Sequence, residues 1–354
     1  MSNCASVAAK AVLGRRGLIS SKRLSKMLRV LASTAELLDA GTVEAYVRRR
    51  GLTRAHTLEV TRLGGGVSNV VFAVAGSDIR AVVKQARPKL DVAEEWLAGQ
   101  DRALTEADAL RVARVILGPA VPAVLDVDTA SFAITIERGS SLSIDWKSEL
   151  LSGSIEPARA LELGRLLRNF HQSTGLLEEL AERFGQEVFR QLRLDPYYET
   201  SAIRNPTLSK AIRRLENELS HGQCLVHGDF SPKNVLVGGD GGLMIIDFEV
   251  AHWGNPVFDV AFMLSHLVLK SIHMPARASA LLQCARAFGE AYEVVDSSIY
   301  AQVGALLIAR IDGKSPVEYL DHAGRQTTRE LGTALLLEPV RSVAGLWERL
   351  SALP

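Results

Sequence analysis

The chain has 354 residues, 47% of them hydrophobic, and a formal net charge of +1. This composition provides for a large core and excludes global disorder, while the near-neutral charge argues against nucleic acid as a partner. Three widely spaced cysteines disfavour a disulfide framework or a zinc cluster and fit a reducing compartment. No run of about 18 apolar residues occurs, so neither a transmembrane helix nor a membrane partner is expected. These features predict a cytoplasmic protein, and the length allows two lobes.

The first 35 residues differ in charge from the rest of the chain. Seven basic residues precede the first acidic residue, Glu36. An acid-free start that contains Arg and Ser is typical of an organellar transit peptide. A disordered basic tail, or a true start at Met27, explains the same pattern. We therefore treat residues 1–35 as a basic N-terminal extension outside the fold.

The segment from residue 36 to residue 138 is predicted to be a small β-rich lobe. A short amphipathic helix precedes three strands, and helix-forming residues follow Pro88 up to about Val115 before a second strand pair. The predicted elements are a helix over 35–50, a strand over 56–63, a hairpin over 70–86 with its turn at Gly76-Ser77-Asp78, an inserted helix, and strands over 121–128 and 131–138.

Residues 139–354 are predicted to form a larger, mainly helical lobe. Six segments carry helix-forming residues, and only "CLV", "NVLV" and "GLMIID" interrupt them as short strands. The helical segments cover 158–174, 207–220, 256–270, 278–292, 301–311 and 332–350. The fold class is therefore α+β and bilobal, with the joint between the lobes near residues 137–139.

A glycine-rich turn and a lysine are the first candidates for chemistry. "LGGGVSN", residues 63–69, lies between two predicted strands, where glycines let the backbone approach a phosphate. A plain hairpin turn is the alternative, and the turn lacks the Gly-Lys-Ser/Thr of a Walker A loop. Lys84 follows on the next strand and faces the same side as Val82.

An acidic partner for Lys84 is expected from the inserted helix. The candidates are Glu94, Glu95, Glu106 and Asp108. Glu106 is favoured because Leu104, Ala107 and Leu110 mark an inward helix face beside it.

The stretch "HGDFSPKN" carries the strongest signal. Phosphoryl transfer to a hydroxyl needs a carboxylate that orients the nucleophile and accepts its proton, and Asp229 fits that role. Mg²⁺ prefers oxygen ligands, which the Asn234 amide and Asp247 at the end of "LMII" would supply. The alternative is a loop whose Asp and Asn merely cap a helix.

The ordered set resembles the protein-kinase plan of glycine loop, strand lysine, helix glutamate, catalytic loop and metal aspartate. "HGDFSPKN" followed by "IDFEVAHWGNPVFDVAF" resembles more closely the aminoglycoside phosphotransferase and choline kinase superfamily, and within it methylthioribose kinases. Protein kinases have a lysine two residues after the base, whereas this chain has Ser231, which speaks against a protein substrate.

The resemblance implies a role for each matching residue, with ATP and Mg²⁺ as cofactors. Asp229 matches the catalytic base, Asp259 an aspartate that braces the catalytic loop, and Lys84 with Glu106 the phosphate-binding ion pair. The nucleotide-binding turn corresponds to Gly64, Gly65, Gly66, Ser68 and Asn69. The hinge that binds adenine corresponds to Glu137 through Gly139. The metal ligands correspond to Asn234, Asp247 and Glu249.

The acceptor is less defined by the sequence. Basic and acidic residues are mixed in the C-terminal segment, and the aromatic residues are not clustered, so neither an aminoglycoside pocket nor a quaternary-ammonium cage stands out. A small neutral polyol or sugar-like acceptor is favoured, with aminoglycoside-type and choline- or ethanolamine-type acceptors as alternatives. Two other hypotheses are a catalytically inactive nucleotide-binding regulator and a metal-dependent phosphoesterase.

Overall fold

The computed structural model describes residues 36–64, 66–91, 96–294 and 297–353. The predicted N-terminal extension lies outside these ranges. The predicted first helix is shorter in the structure, where α1 spans Val43–Arg49.

An antiparallel five-stranded sheet forms the N-terminal half, as predicted. Its strands are β1 (Glu59–Arg62), β2 (Asn69–Ala75), β3 (Arg80–Ala86), β4 (Val124–Asp128) and β5 (Ala133–Glu137), in the order β1-β2-β3-β5-β4. Register pairs Lys84 of β3 with Val71 of β2 and with Ile134 of β5, so this lysine lies on a central strand.

The two faces of β3 contact different parts of the protein. Ala81 and Val83 are fully buried in a small cluster with α1, whereas Val82 packs against the main core. Side chains alternate between the faces of a strand, so Lys84 shares the face of Val82 and points toward the helical half. This confirms the predicted orientation of Lys84.

The inserted helix begins later than the sequence predicts. Composition favours helix directly after Pro88, but α2 spans Arg102–Leu117, and Lys89 instead bridges to Leu97. The inward face of α2 contains Glu106, which is 1% exposed.

Helices dominate the C-terminal half, as predicted. In chain order they are α3 (Trp146–Leu151), α4 (Pro157–Gly175), α5 (Leu180–Arg183), α6 (Glu187–Phe189), a π-helical segment (Arg190–Glu199), α7 (Thr200–Arg204), α8 (Ser209–Glu218), α9 (Val257–His273), α10 (Ala278–Tyr292), α11 (Ser298–Asp312), α12 (His322–Leu337) and α13 (Val343–Ser351). Among the described residues, none of these helices has the length and apolarity needed to cross a membrane.

Five short strands position the loops between these helices. They are β6 (Ile144–Asp145), β7 (Cys224–Val226), β8 (Val235–Val237), β9 (Leu243–Ile245) and β10 (His252–Gly254). β8 pairs with β6 and β9, whereas β7 pairs with β10, a strand that the sequence did not indicate. The "HGDFSPKN" loop therefore leaves β7 and enters β8, and Asp247 follows β9.

Gly228 sets the path of the chain between β7 and Asp229. Its φ is +76°, and a Cβ atom there would lie 2.5 Å from the Val250 carbonyl oxygen. Side chains are disfavoured at such a φ, and the contact with a backbone atom cannot be relieved by a rotamer change. Only glycine fits before Asp229.

We predict that Gly228→Ala lowers the free energy of unfolding by more than about 2 kcal/mol, because backbone strain and a steric clash add. Gly241→Ala is the matched control: its φ is +83°, but no atom lies within 4 Å of the added Cβ. It should cost about 1 kcal/mol from backbone strain alone. Urea unfolding measures both, and equal losses would contradict the proposed clash.

Candidate active site

Lys84 lies between two carboxylates from different parts of the fold. Its Nζ is 2.6 Å from Glu106 Oε1 on α2 and 2.7 Å from Asp247 Oδ1, which follows β9. The side chain of Glu106 is 1% exposed and that of Asp247 is 21% exposed, so only Asp247 faces the solvent side. The structure thus brings together three residues that the sequence predicted as a group.

The charges of this triad are determined by burial and by mutual attraction. Burial alone would lower the pKa of Lys84, but Asp247 and Glu106 outweigh it and raise that pKa. Burial raises the pKa of Glu106 to about 7, and no described residue forms a hydrogen bond with its Oε2. For Asp247, Lys84 and Lys233 overcome burial and hold the pKa well below its usual range. At neutral pH the ammonium of Lys84 therefore faces an ionised Asp247.

Asp229 is buried and contacts two basic side chains. Arg193, from the π-helical segment, approaches Oδ1 at 2.8 Å, and Lys233 approaches Oδ2 at 2.9 Å. Asn234 donates from Nδ2 to the same Oδ2 at 2.9 Å and to the Asp229 carbonyl at 3.0 Å. Burial would raise the pKa of Asp229, but Arg193 and Lys233 lower it below its usual value. This carboxylate is therefore ionised and held in one orientation.

Asp259 holds the backbone that precedes Asp229. Its carboxylate accepts hydrogen bonds from the His227 amide at 2.7 Å and the Gly228 amide at 2.9 Å. His171 Nε2 lies 3.1 Å from Asp259 Oδ2, while its Nδ1 lies 2.9 Å from the Tyr292 hydroxyl. All of these groups except Tyr292 are almost fully buried. Asp259 thus ties α9 and α4 to the loop.

Glu249 connects the loop after β9 to the glycine-rich turn. Its Oε2 accepts from Asn69 Nδ2 at 2.8 Å and from Arg102 Nε at 3.2 Å. Arg102 is fully buried at the start of α2, and its other nitrogens donate to the carbonyls of Ser68, Arg87 and Gly99. The contacts of Oε2 are thus with protein donors, and the metal role assigned to Glu249 stays a prediction.

The glycine-rich turn offers open backbone. A Cβ added at Gly64 or Gly66 would meet no atom within 4 Å, while Ser68 is anchored through its carbonyl. Gly65, like the alternative partners Glu94 and Glu95, lies outside the described residues. The other alternative, Asp108, pairs with Arg111 on the surface of α2.

The predicted hinge lies at the end of β5. Glu137 accepts from Arg114 Nη1 at 3.0 Å through its side chain, and its amide donates to the Ala123 carbonyl at 2.8 Å. Gly139 lies against the side chains of Leu236 and Met244, which would be 3.5 and 3.6 Å from an added Cβ. The hinge therefore faces the β8–β9 hairpin, with an apolar floor beside it.

The residues proposed for Mg²⁺ fit the chemistry of that ion. Mg²⁺ usually binds one or two carboxylates and completes its shell with water and phosphate oxygens. Asp247 accepts a hydrogen bond from Lys84 through Oδ1, so its Oδ2 remains to bind a metal ion. Asn234 donates through Nδ2, so its amide oxygen remains as a second ligand. Within the described ranges, no three His, Cys, Asp or Glu side chains form a metal site of their own.

Comparison with known proteins decides the family. The model of the phosphotransferase enzyme family matches residues 59–297, which is more than half of the chain. The chain belongs to the phosphotransferase enzyme family.

Relatives in this family include a methylthioribose kinase from Yersinia pseudotuberculosis, which is 29% identical over 266 residues, 66% of this chain and 65% of that protein. The chain therefore spans slightly less than two thirds of the length of this curated relative. Similar solved structures include the choline kinase LicA from Streptococcus pneumoniae, with 14% identity, coverage of 89% of this chain and all of that chain, and a TM-score of 0.45. The spectinomycin phosphotransferase APH(9)-Ia, in complex with ADP and spectinomycin, shows 13% identity, coverage of 89% and 94%, and a TM-score of 0.49.

Three basic residues of this phosphotransferase-family site were missed by the sequence reasoning. Lys233 could have been found, because it lies in the same loop four residues after Asp229. Arg193 precedes Asp229 by a long helical stretch and belongs to no motif, so no local signal indicated it. Arg102 was overlooked because the composition placed the helix start before it.

We predict that Arg102→Met costs about 3 kcal/mol of unfolding free energy, because it leaves Glu249 buried without its cation. Arg111→Met on the same helix is the matched control: its pair with Asp108 is half exposed and should contribute less than about 0.5 kcal/mol. Urea unfolding of both variants checks this. A loss of the same size for both would contradict the bridging role of Arg102.

Proposed function

We propose that this protein is an ATP- and Mg²⁺-dependent phosphotransferase that phosphorylates a hydroxyl group of a small molecule. The observation that carries the proposal is the meeting of Lys84, Glu106 and Asp247 within hydrogen-bond distance. Family membership and the Asp229–Asn234 contact support it further. The nucleotide would bind to the β-rich part, residues 36–138, and the acceptor to residues 139–354.

The proposed roles follow from charge and position. Lys84 and the open amides of the glycine-rich turn bind phosphate oxygens. Asn234 and Asp247 hold Mg²⁺, which when bound neutralises charge on the transferred phosphoryl group. Asp229 orients the acceptor hydroxyl. As the oxygen of the acceptor hydroxyl bonds to the γ-phosphorus of ATP, the bond between that phosphorus and the β,γ-bridging oxygen breaks. ADP leaves with the electron pair of the broken bond, and the hydroxyl proton passes to Asp229.

The alternatives make different demands on the same residues. A catalytically inactive nucleotide-binding protein would need no ionised Asp229 between Arg193 and Lys233, yet that carboxylate is held in place by both. A choline-type acceptor would favour aromatic faces around a cation, whereas basic side chains surround Asp229. These observations favour the active kinase.

We predict that Asp229→Asn lowers kcat for ATP-dependent phosphorylation at least about 100-fold while the Kd of Mg–ATP changes less than about threefold. The amide keeps the size of the side chain but cannot accept the proton. Coupled ADP release measures turnover, and isothermal titration measures binding. Asp240→Asn, on the exposed β8–β9 turn, is the control. Parallel loss of ATP binding in Asp229→Asn would count against the assigned role.

We predict that Asp247→Asn weakens Mg²⁺-dependent ATP binding at least about tenfold, because Mg²⁺ loses its carboxylate ligand. Asparagine tolerates the φ of +72° at this position, so the backbone should be preserved. Titration of ATP at varied Mg²⁺ concentration measures the effect. Glu249→Gln, tested alongside, should alter the Mg²⁺ requirement only if Glu249 contacts the metal. An unchanged Mg²⁺ requirement in Asp247→Asn would contradict the proposed ligand.

A further inference from the structure

Three basic side chains of the helical half have no carboxylate partner among the residues that the structure describes. They are Lys147 of α3, Lys270 of α9 and Arg310 of α11. Lys270 is fully buried, and its Nζ contacts only the His266 carbonyl at 3.4 Å and the face of the Tyr319 ring at 5.8 Å. Arg310 donates to Ser315 alone. We call Lys147, His266, Lys270, Arg310 and Tyr319 the basic cluster.

The members of the basic cluster are close enough to repel one another. Burial lowers the pKa of Lys270 to about 7, and the charges of Lys147 and Arg310 lower it in the same direction. Asp145 opposes this shift, but its carboxylate caps α3 through the Ser148 amide at 2.9 Å. Basic groups from three helices are therefore gathered with only the Asp145 carboxylate opposing them, and Lys270 loses its proton more readily than an exposed lysine does.

A chain of contacts links the basic cluster to Asp229. Arg193, which pairs with Asp229, lies over the Phe262 ring at 5.9 Å, and the Phe262 and His266 rings are 4.9 Å apart. His266 precedes Lys270 by one turn of α9. Burial and then the charge of Lys270 lower the pKa of His266, and Lys233, the second partner of Asp229, lowers it further. The cluster is thus connected to the basic environment of Asp229 through Phe262 and His266 of α9.

Unused hydrogen-bond donors point to a ligand. Tyr319 Oη and Arg310 Nε are buried and have no hydrogen-bond partner in the described part of the chain. Buried polar groups are normally paired, and an unpaired one is costly unless something binds to it. Lys147 and Arg310 are partly exposed, so the cluster is accessible on that side. Cations together with unused donors are the recognition elements of an anion.

We propose that the acceptor carries an anionic group, a carboxylate or a phosphate, which the basic cluster binds while a hydroxyl of the same molecule lies at Asp229. The proposal rests on the proposed function and makes it more specific. It replaces the neutral acceptor that the sequence favoured, and it disfavours polycationic or quaternary-ammonium acceptors, which the cluster would repel.

A titration with inorganic phosphate tests the subsite directly. With Mg–ADP at saturation to fill the nucleotide site, phosphate should bind the wild-type protein and bind Lys270→Met and Arg310→Met at least tenfold more weakly. Lys210→Met, an exposed lysine on α8, should behave as wild type. The thermal shift of each variant gives the affinity. Absent phosphate binding, or equal binding by all four proteins, would overturn the proposal.

Matched acceptors test the substrate class and separate its two forms. Ribose, ribonate and ribose 5-phosphate share a skeleton and differ in charge. Coupled ADP release should give a kcat/KM at least tenfold higher for one of the two anions than for ribose, and this preference should shrink in Lys270→Met. Ribonate and ribose 5-phosphate distinguish a carboxylate from a phosphate. A preference for ribose would refute the proposal.

The slow hydrolysis of ATP with water as acceptor separates the two proposals. If wild type hydrolyses ATP and Asp229→Asn does not, the phosphotransferase function stands whatever the anion titration gives. If neither protein turns over ATP, the function fails, and phosphate binding still decides whether the basic cluster is an anion site.

Discussion

The site depends on the ammonium of Lys84 held between Glu106 and Asp247. These three side chains come from the central strand of the sheet, the helix packed on it and a loop of the helical half, so one cation connects three elements. An ammonium buried to this degree is tolerated only because two carboxylates compensate for its lost hydration. The same contact keeps Asp247 ionised, as its proposed role as a Mg²⁺ ligand requires.

Asp229 has the opposite arrangement, one carboxylate between two cations. Arg193 and Lys233 favour the ionised form, so Asp229 can accept a hydrogen bond from a hydroxyl at neutral pH but is a weak base before bonds change. A hydroxyl becomes acidic only as its oxygen bonds to phosphorus, and in the proposed reaction the fixed, ionised carboxylate of Asp229 then takes the proton. Orientation by Arg193 and Asn234 therefore matters more than basicity.

Short-range patterns predicted much of this arrangement. The residues Asp229, Asn234 and Asp247 follow short apolar strands in one stretch of chain, and the inward face of α2 indicated Glu106. The five strands of the β-rich half were also indicated by their β-branched runs and turns, whereas the pairing of β3 with β5 is a tertiary contact that no local pattern gave. Local patterns carry no information on partners that meet only through tertiary packing, which is why Arg193 and the β7–β10 pairing were missed. The start of α2 was misplaced because composition favoured helix where Lys89 pairs with Leu97.

The distribution of unpaired charge divides the site into two parts. On the side where we propose that the nucleotide binds, the buried cations of the described residues have partners: Lys84 has two carboxylates, and Arg102 has Glu249 and three carbonyls. A site built this way is preorganised and needs no ligand to be stable. On the proposed acceptor side Lys270 and Arg310 have no such partners among the described residues, so a ligand that supplies negative charge would be attracted by both and would reduce their mutual repulsion. Specificity for the acceptor is therefore expected to depend on the helical half, and above all on the end of α9.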